Sequence, residues 1–86
     1  MAELTISVVS ANAEIWTGAA KQIVARTTEG EIGILPGHEP ILAILAAGEV
    51  RVTTLDGSVV TANAEDGFLS VQDNTVTVVA RNAALV

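Results

Sequence analysis

Gly48-Glu49-Val50-Arg51-Val52-Thr53-Thr54-Leu55-Asp56-Gly57-Ser58-Val59-Val60-Thr61-Ala62-Asn63-Ala64 decides the fold class. Val50, Val52 and Thr54 alternate with Arg51, Thr53 and Leu55. Successive side chains of an extended chain point to opposite faces, so this period of two marks a strand with one face toward a core. Asp56-Gly57 then interrupts the alternation. Both residue types tolerate positive φ, which predicts a two-residue type I′ turn returning the chain as a second strand, Ser58 to Ala64.

Downstream of this hairpin the pattern repeats. Glu65-Asp66-Gly67 predicts a turn into Phe68–Gln72, and Asp73-Asn74 predicts a second tight turn into Thr75–Ala80, where Val76 and Val78 alternate with threonines. Upstream, Leu4, Ile6 and Val8 alternate with Thr5, Ser7 and Val9, until the polar cluster Ser10 to Glu14 ends that strand. From Ile15 to Arg26, Lys21, Ile23 and Ala25 share one face and Gln22, Val24 and Arg26 the other, both mixed, as in a strand near a sheet edge. Thr28-Glu29-Gly30-Glu31 reads as a turn, and Ile32 and Ile34 flank Gly33 in a short strand that Pro36-Gly37 stops. Gly33 predicts a bulge or a close backbone approach. Ile41–Leu45 is continuously apolar and is read as a buried strand rather than a helical turn, while Asn82–Val86 leaves both a helical start and a frayed end open. No segment carries an apolar stripe at helical spacing. The expected class is all-β, a sandwich or barrel of short strands.

Composition agrees. The 86 residues form one domain, 1–86, because such a length supports about one compact core. Half the residues are hydrophobic and the mean hydropathy is +0.53, so the chain can bury a core. Trp16 and Phe68 are the only aromatic rings, which leaves Val, Ile, Leu and Ala to fill it and favours strands. With no cysteine there is neither disulfide nor thiolate chemistry. The net charge of -6 repels phosphate backbones, so direct nucleic-acid binding is not expected. The longest apolar stretch, Ile41 to Ala47, is far shorter than the roughly 20 residues of a membrane helix, and Met1-Ala2-Glu3 lacks the basic start of a secretion signal. The expectation is a soluble chain that does not itself insert into a membrane.

Candidate chemistry is sparse. His38, the one histidine, sits beside Glu39 in a Pro-Gly-His-Glu-Pro turn where adjacent side chains point apart; a metal site needs three or four converging ligands. No Gly-x-Ser-x-Gly elbow is present for a nucleophilic serine. Glu29 and Glu31 share a face if the backbone is extended, as a glycosidase pair would, yet sugar-stacking rings are lacking, so they read as a solvated acidic turn or a partner contact. Gly30, Gly33 and Gly37 precede no Gly-Lys-Ser or Gly-Lys-Thr and form no phosphate loop. Trp16 reads as a residue packed at the core rim, and Arg51 and Arg81 as solvated outer-face residues. Neither catalytic residues nor a cofactor nor a metal site is expected.

Glu29-Gly30-Glu31-Ile32-Gly33-Ile34-Leu35-Pro36-Gly37-His38-Glu39-Pro40 resembles the signature segment of the epsilon subunits of bacterial F-type ATP synthases. Further likeness lies in the Leu4–Ser10 strand, Trp16-x-Gly18, Gly48-x-Val50-Arg51-Val52, Gly67-Phe68-Leu69-x-Val71 and Asn74-x-Val76-Thr77-Val78, which together span nearly the whole chain. The resemblance implies a flattened ten-stranded sandwich or barrel, the N-terminal β-sandwich domain of such subunits. It implies a non-catalytic part of the central stalk, peripheral on the cytoplasmic face of the cell membrane, where one face packs on the gamma subunit and a lower edge meets the polar loops of the c-ring. On that reading Glu29, Glu31 and His38 fall on the c-ring edge and Ser10 on the gamma face.

The resemblance has two departures. Asp66-Gly67 stands where many relatives have Gly-Gly, and the sequence ends at Val86 where typical relatives continue into an inhibitory helical hairpin, which is therefore not assigned to this chain. Two other readings stay open. One is a generic β-sandwich adaptor. The other is a lipoyl or biotinyl carrier domain, whose modified lysine would sit at a hairpin tip, whereas Lys21, the sole lysine, falls within an expected strand. A cupin-like binder would need several histidines.

Overall fold

The computed structural model describes residues 2–11 and 13–86, and every described element is β. Met1 and Asn12 lie outside the described residues, and with them parts of the expected Ser10–Glu14 turn and of the N-terminal start. Six strands follow in order: β1 (Leu4–Ser10), β2 (Glu14–Thr27), β3 (Gly30–Ile34), β4 (Ile41–Thr54), β5 (Val59–Gln72) and β6 (Thr75–Leu85). Neighbours run β1-β6-β5-β4-β2-β3, and a further β1–β2 pairing closes five of them into a ring. The first half of β2 pairs with β1 and its second half with β3, both antiparallel. β1 and β6 are parallel. Closure removes most of the unpaired strand edges that would otherwise recruit other chains.

The class is the expected one, but the ten strands are six. β2, β4, β5 and β6, 11 to 14 residues long, bend through irregularities instead of ending at them. In β4 the register against β2 jumps between Leu45 and Val50, and the β4–β5 ladder is interrupted over the same stretch. Opposite this break Asp66 adopts φ 57° and the β5–β6 ladder skips from Glu65 to Gly67. The turn expected at Glu65-Asp66-Gly67 is thus a mid-strand bend, and β5 continues through it. Gly67 is needed there for a steric reason: a Cβ on it would stand 1.8 Å from the Val79 carbonyl oxygen.

Other local expectations shift for similar reasons. β2 is interior, not an edge, because it pairs with three strands. Its mixed faces arise from a bulge: Ala20 pairs with Thr54 and Gln22 with Thr53, leaving Lys21 as the extra residue, turned out while Ala20 and Ile23 are buried. The β4–β5 connection is a three-residue loop, with the Gly57 N–H donating to the Thr54 carbonyl and only Gly57, at φ 91°, in the left-handed region. That is a type I turn closed by a glycine bulge. The Thr54 hydroxyl and the Ser58 N–H both donate to the Asp56 carboxylate, which fixes Asp56 inside this wider loop. The type I′ pattern occurs instead at Asp73-Asn74, φ 51° and 60°, between the paired Gln72 and Thr75. Asn82–Leu85 neither starts a helix nor frays; it completes β6 against β5.

Inward residues of the strands make one core. Leu4, Ile6, Ile23, Ile34, Leu69, Val76 and Val78 are fully buried in it. Burying each such side chain contributes roughly 1.5–3 kcal/mol. Trp16 packs at the rim, its ring lying over Gly18, as the sequence predicts.

Candidate docking surfaces

β2 and β3 form a hairpin whose tip is Thr28-Glu29, with Thr27 paired to Gly30. The buried Thr27 hydroxyl donates to the Gly30 carbonyl at 2.7 Å and accepts from the Glu29 N–H at 3.2 Å. The Thr28 N–H reaches across to the Ile44 carbonyl at 3.0 Å, pinning the tip to β4. Glu29 and Glu31 are both exposed, one in the loop and one on the outer face of β3. Glu31 is not a free carboxylate: its Oε2 lies 3.3 Å from a terminal nitrogen of Arg51.

His38 belongs to the far end of this edge. Leu35-Pro36-Gly37-His38 is a turn in which the His38 N–H donates to the Leu35 carbonyl and Gly37 has φ 87°, the arrangement a proline then a glycine favour in type II turns. The Gly37 N–H donates to the Asn74 side-chain oxygen at 2.7 Å, and the His38 ring Nδ1 is 2.7 Å from the Glu39 carbonyl oxygen. Four residue steps of β3, about 13 Å of extended chain, separate the Gly30 end from the Ile34 end. The structure therefore pairs Glu29 with Glu31 along one edge and sets His38 beyond its other end. Among the described residues no three histidine, cysteine or carboxylate side chains converge on a metal-sized site.

Ser10 closes β1 beside Ala80. Its N–H and hydroxyl both approach the Ala13 carbonyl, at 2.8 and 3.3 Å. It lines an open groove of about 620 Å³ with Gly48, Asn63, Glu65, Arg81 and Asn82, formed where β4, β5 and β6 bend together.

The surface that sequence reasoning missed is apolar. Ile41–Leu45 is a strand, but only Leu45 is buried; Leu42 is 69% exposed and Ile44 57%. Ile44 pairs with Phe68, Phe68 with Val79 and Val79 with Val9, so an outward row of large apolar side chains crosses four adjacent strands. Phe68 is 38% exposed. Beside it Leu42, Ser70, Thr77 and Ser7 make a second row. A continuous apolar run in a strand buries one face in the core and leaves the other for a partner, and that run was the available signal.

These features define a closed β domain with an exposed polar β2–β3 edge and an exposed apolar row on the outer face of β4, β5, β6 and β1. No helix among the described residues is long and apolar enough to cross a membrane. Residues 3–86 match the model of the ATP synthase Delta/Epsilon chain beta-sandwich domain, and the chain belongs to that family. The ATP synthase epsilon chain of Micrococcus luteus is 54% identical over 85 residues, covering 99% of this chain and 93% of the relative. That of Rhodococcus jostii is 48% identical, covering 99% of this chain and 70% of the relative. In a cryo-EM structure of Euglena gracilis mitochondrial ATP synthase, with OSCP, F1 and c-ring, one chain superposes with a TM-score of 0.92 at 28% identity, covering 99% of this chain and 54% of that one. A chain of the Tetrahymena thermophila central stalk and c-ring shares the fold, with a TM-score of 0.73 at 17% identity over 93% of this chain and 64% of that one. This chain thus spans about half to two thirds of the solved chains. The carrier-domain reading loses its basis as well, since Lys21 is a bulge residue inside β2 and not a hairpin tip.

Proposed function

We propose that this chain is a non-catalytic rotor subunit of a proton-transporting ATP synthase, which fixes the gamma subunit to the c-ring so that torque from proton flow reaches the catalytic head. It sits peripherally on the cytoplasmic face of the membrane. Gamma packs on the outer face that carries Leu42, Ile44, Phe68 and Val79, with Ser10 at the end of β1 beside the groove at the bend. The polar loops of the c-ring meet the edge that runs from Glu29 through Glu31 to His38. The observation that carries this reading is the outward apolar row across β4, β5, β6 and β1, since a surface of that kind on a small rigid domain suits a permanent protein partner. The polar hairpin beside it supplies the hydrogen-bonding and charged groups that fit a contact with polar loops. Reconstitution with gamma and the c-ring tests it: both should co-purify with the chain, and recovery of neither would refute it.

A further inference from the structure

The outward row of Ile44, Phe68, Val79 and Val9 crosses four strands with one residue on each. Leu42, Ser70, Thr77 and Ser7 run beside it in the same strand order. Gln72, Thr75 and Thr5 follow on three of those strands. None of these residues is charged, although the chain carries ten acidic and four basic side chains. With a net charge of -6 on each, two copies repel one another, and they do so least across a face that holds no carboxylate.

The face is also complementary to itself. An isologous pair needs a patch that a twofold axis maps onto its own copy. An axis lying in the plane of the face, parallel to the strands and between β5 and β6, does so. It keeps each row at its own height while laying β5 over β6 of the second copy and β4 over its β1. Phe68 then meets the partner's Val79, and Ile44 the partner's Val9, a larger side chain against a smaller one in each case. In the next row Ser70 faces the partner's Thr77, hydroxyl to hydroxyl, and Leu42 faces the partner's Ser7. The strand axes of the two copies stay aligned, the common arrangement of packed sheets. Beyond the apolar row, at the bend, β5 carries the exposed Asp66 and β6 the exposed Arg81. The same rotation turns each Arg81 toward the partner's Asp66, so the charges that border the face attract.

We propose that the free chain forms an isologous dimer through this face, a second copy standing where gamma packs in the rotor. The shared use of the face rests on the reading given for gamma; the dimer itself does not. Four strands about 4.8 Å apart and three outward rows about 6.8 Å apart make a patch of roughly 20 by 20 Å, or ~400 Å². That is about half of the ~800 Å² that each partner contributes to a standard interface, so the dimer is weak and forms at roughly 0.1 mM. Such a pair covers the apolar row of the unassembled chain and gives way to a partner that buries more of it.

Sedimentation of the chain from about 10 μM to about 1 mM tests this, with the mass expected to rise from 8.8 kDa toward twice that value. Phe68→Ser should stay monomeric throughout. Because the chain has no cysteine of its own, introduced ones read the axis. Oxidising a mixture of Phe68→Cys and Val79→Cys chains should give the mixed disulfide dimer about tenfold over either homodimer. A single mass of 8.8 kDa at every concentration overturns the proposal. So does a Phe68→Cys chain that cross-links to itself as readily as to Val79→Cys. Added gamma should dissolve the dimer. A dimer that persists beside bound gamma overturns the shared use of the face, and a dimer with no gamma binding at all removes the gamma reading alone.

Discussion

Gly67 and Val79 stand so close that the two backbones leave no room for a side chain: a Cβ on Gly67 would lie 1.8 Å from the Val79 carbonyl oxygen. The contact occurs where β5 bends, directly after Asp66 at φ 57°. Gly67→Ala must therefore push β5 and β6 apart at the bend of β5. The expected loss is about 3 kcal/mol or more, beyond ordinary overpacking because the obstacle is backbone. Gly33→Ala, with open space at its Cβ, should instead leave stability unchanged or raise it by roughly 0.5–1 kcal/mol. Urea unfolding of the two variants against the parent measures both, and equal midpoints for the two would contradict the account.

The Asp56 loop predicts a pH dependence. The Thr54 hydroxyl first, and then the Ser58 N–H and hydroxyl, hold the Asp56 carboxyl at about 2, below its ordinary value of 3.8. A folded-state value below the unfolded one means that the unfolded chain binds the proton more tightly, so acid favours unfolding. The stabilisation is present above about pH 4 and is lost as pH falls through 2. Stability measured from pH 5 to pH 2 should fall more in the parent than in Asp56→Asn, which carries no titrating group there. Parallel pH profiles would show that the loop contributes nothing.

The apolar outer row predicts a separation of folding from assembly. Leu42→Ser and Ile44→Ser change exposed residues, so each should alter the stability of the isolated chain by about 0.5 kcal/mol or less. Both should weaken recovery with gamma, because they remove the apolar area that a partner would cover. Ser10→Trp should weaken it as well, by adding bulk at the end of β1, beside the groove at the bend. Thermal unfolding and gamma co-purification, run on the same preparations, read the two effects apart.

The strands themselves were legible from the sequence, because Val50/Val52, Val76/Val78 and Leu4/Ile6/Val8 bury one face and expose the other. What was not legible is where the strands bend. Asp66-Gly67 has the composition of a turn, yet Gly67 serves a close approach between strands, which depends on where β6 passes and not on local preference. Asp56-Gly57 and Asp73-Asn74 look alike as turn formers, and the Asp56 contacts with Thr54 and Ser58 widened the first by one residue. Lys21 was misplaced by one bulge, which inverts the face of a side chain. For the candidate site, the exposure of Glu29 and Glu31 follows from the polar turn composition, but the ion pair of Glu31 with Arg51 and the exposure of Leu42 and Ile44 depend on neighbours from strands distant in the sequence.

The most direct test of the central claim is a bridging experiment. Tagged c-ring in detergent is mixed with gamma, with and without this chain, and gamma retained on the ring is measured. The account predicts that the chain raises retention of gamma at least tenfold, and that the Leu42→Ser/Ile44→Ser variant abolishes the gain while remaining folded. Equal retention of gamma with and without the chain would contradict it.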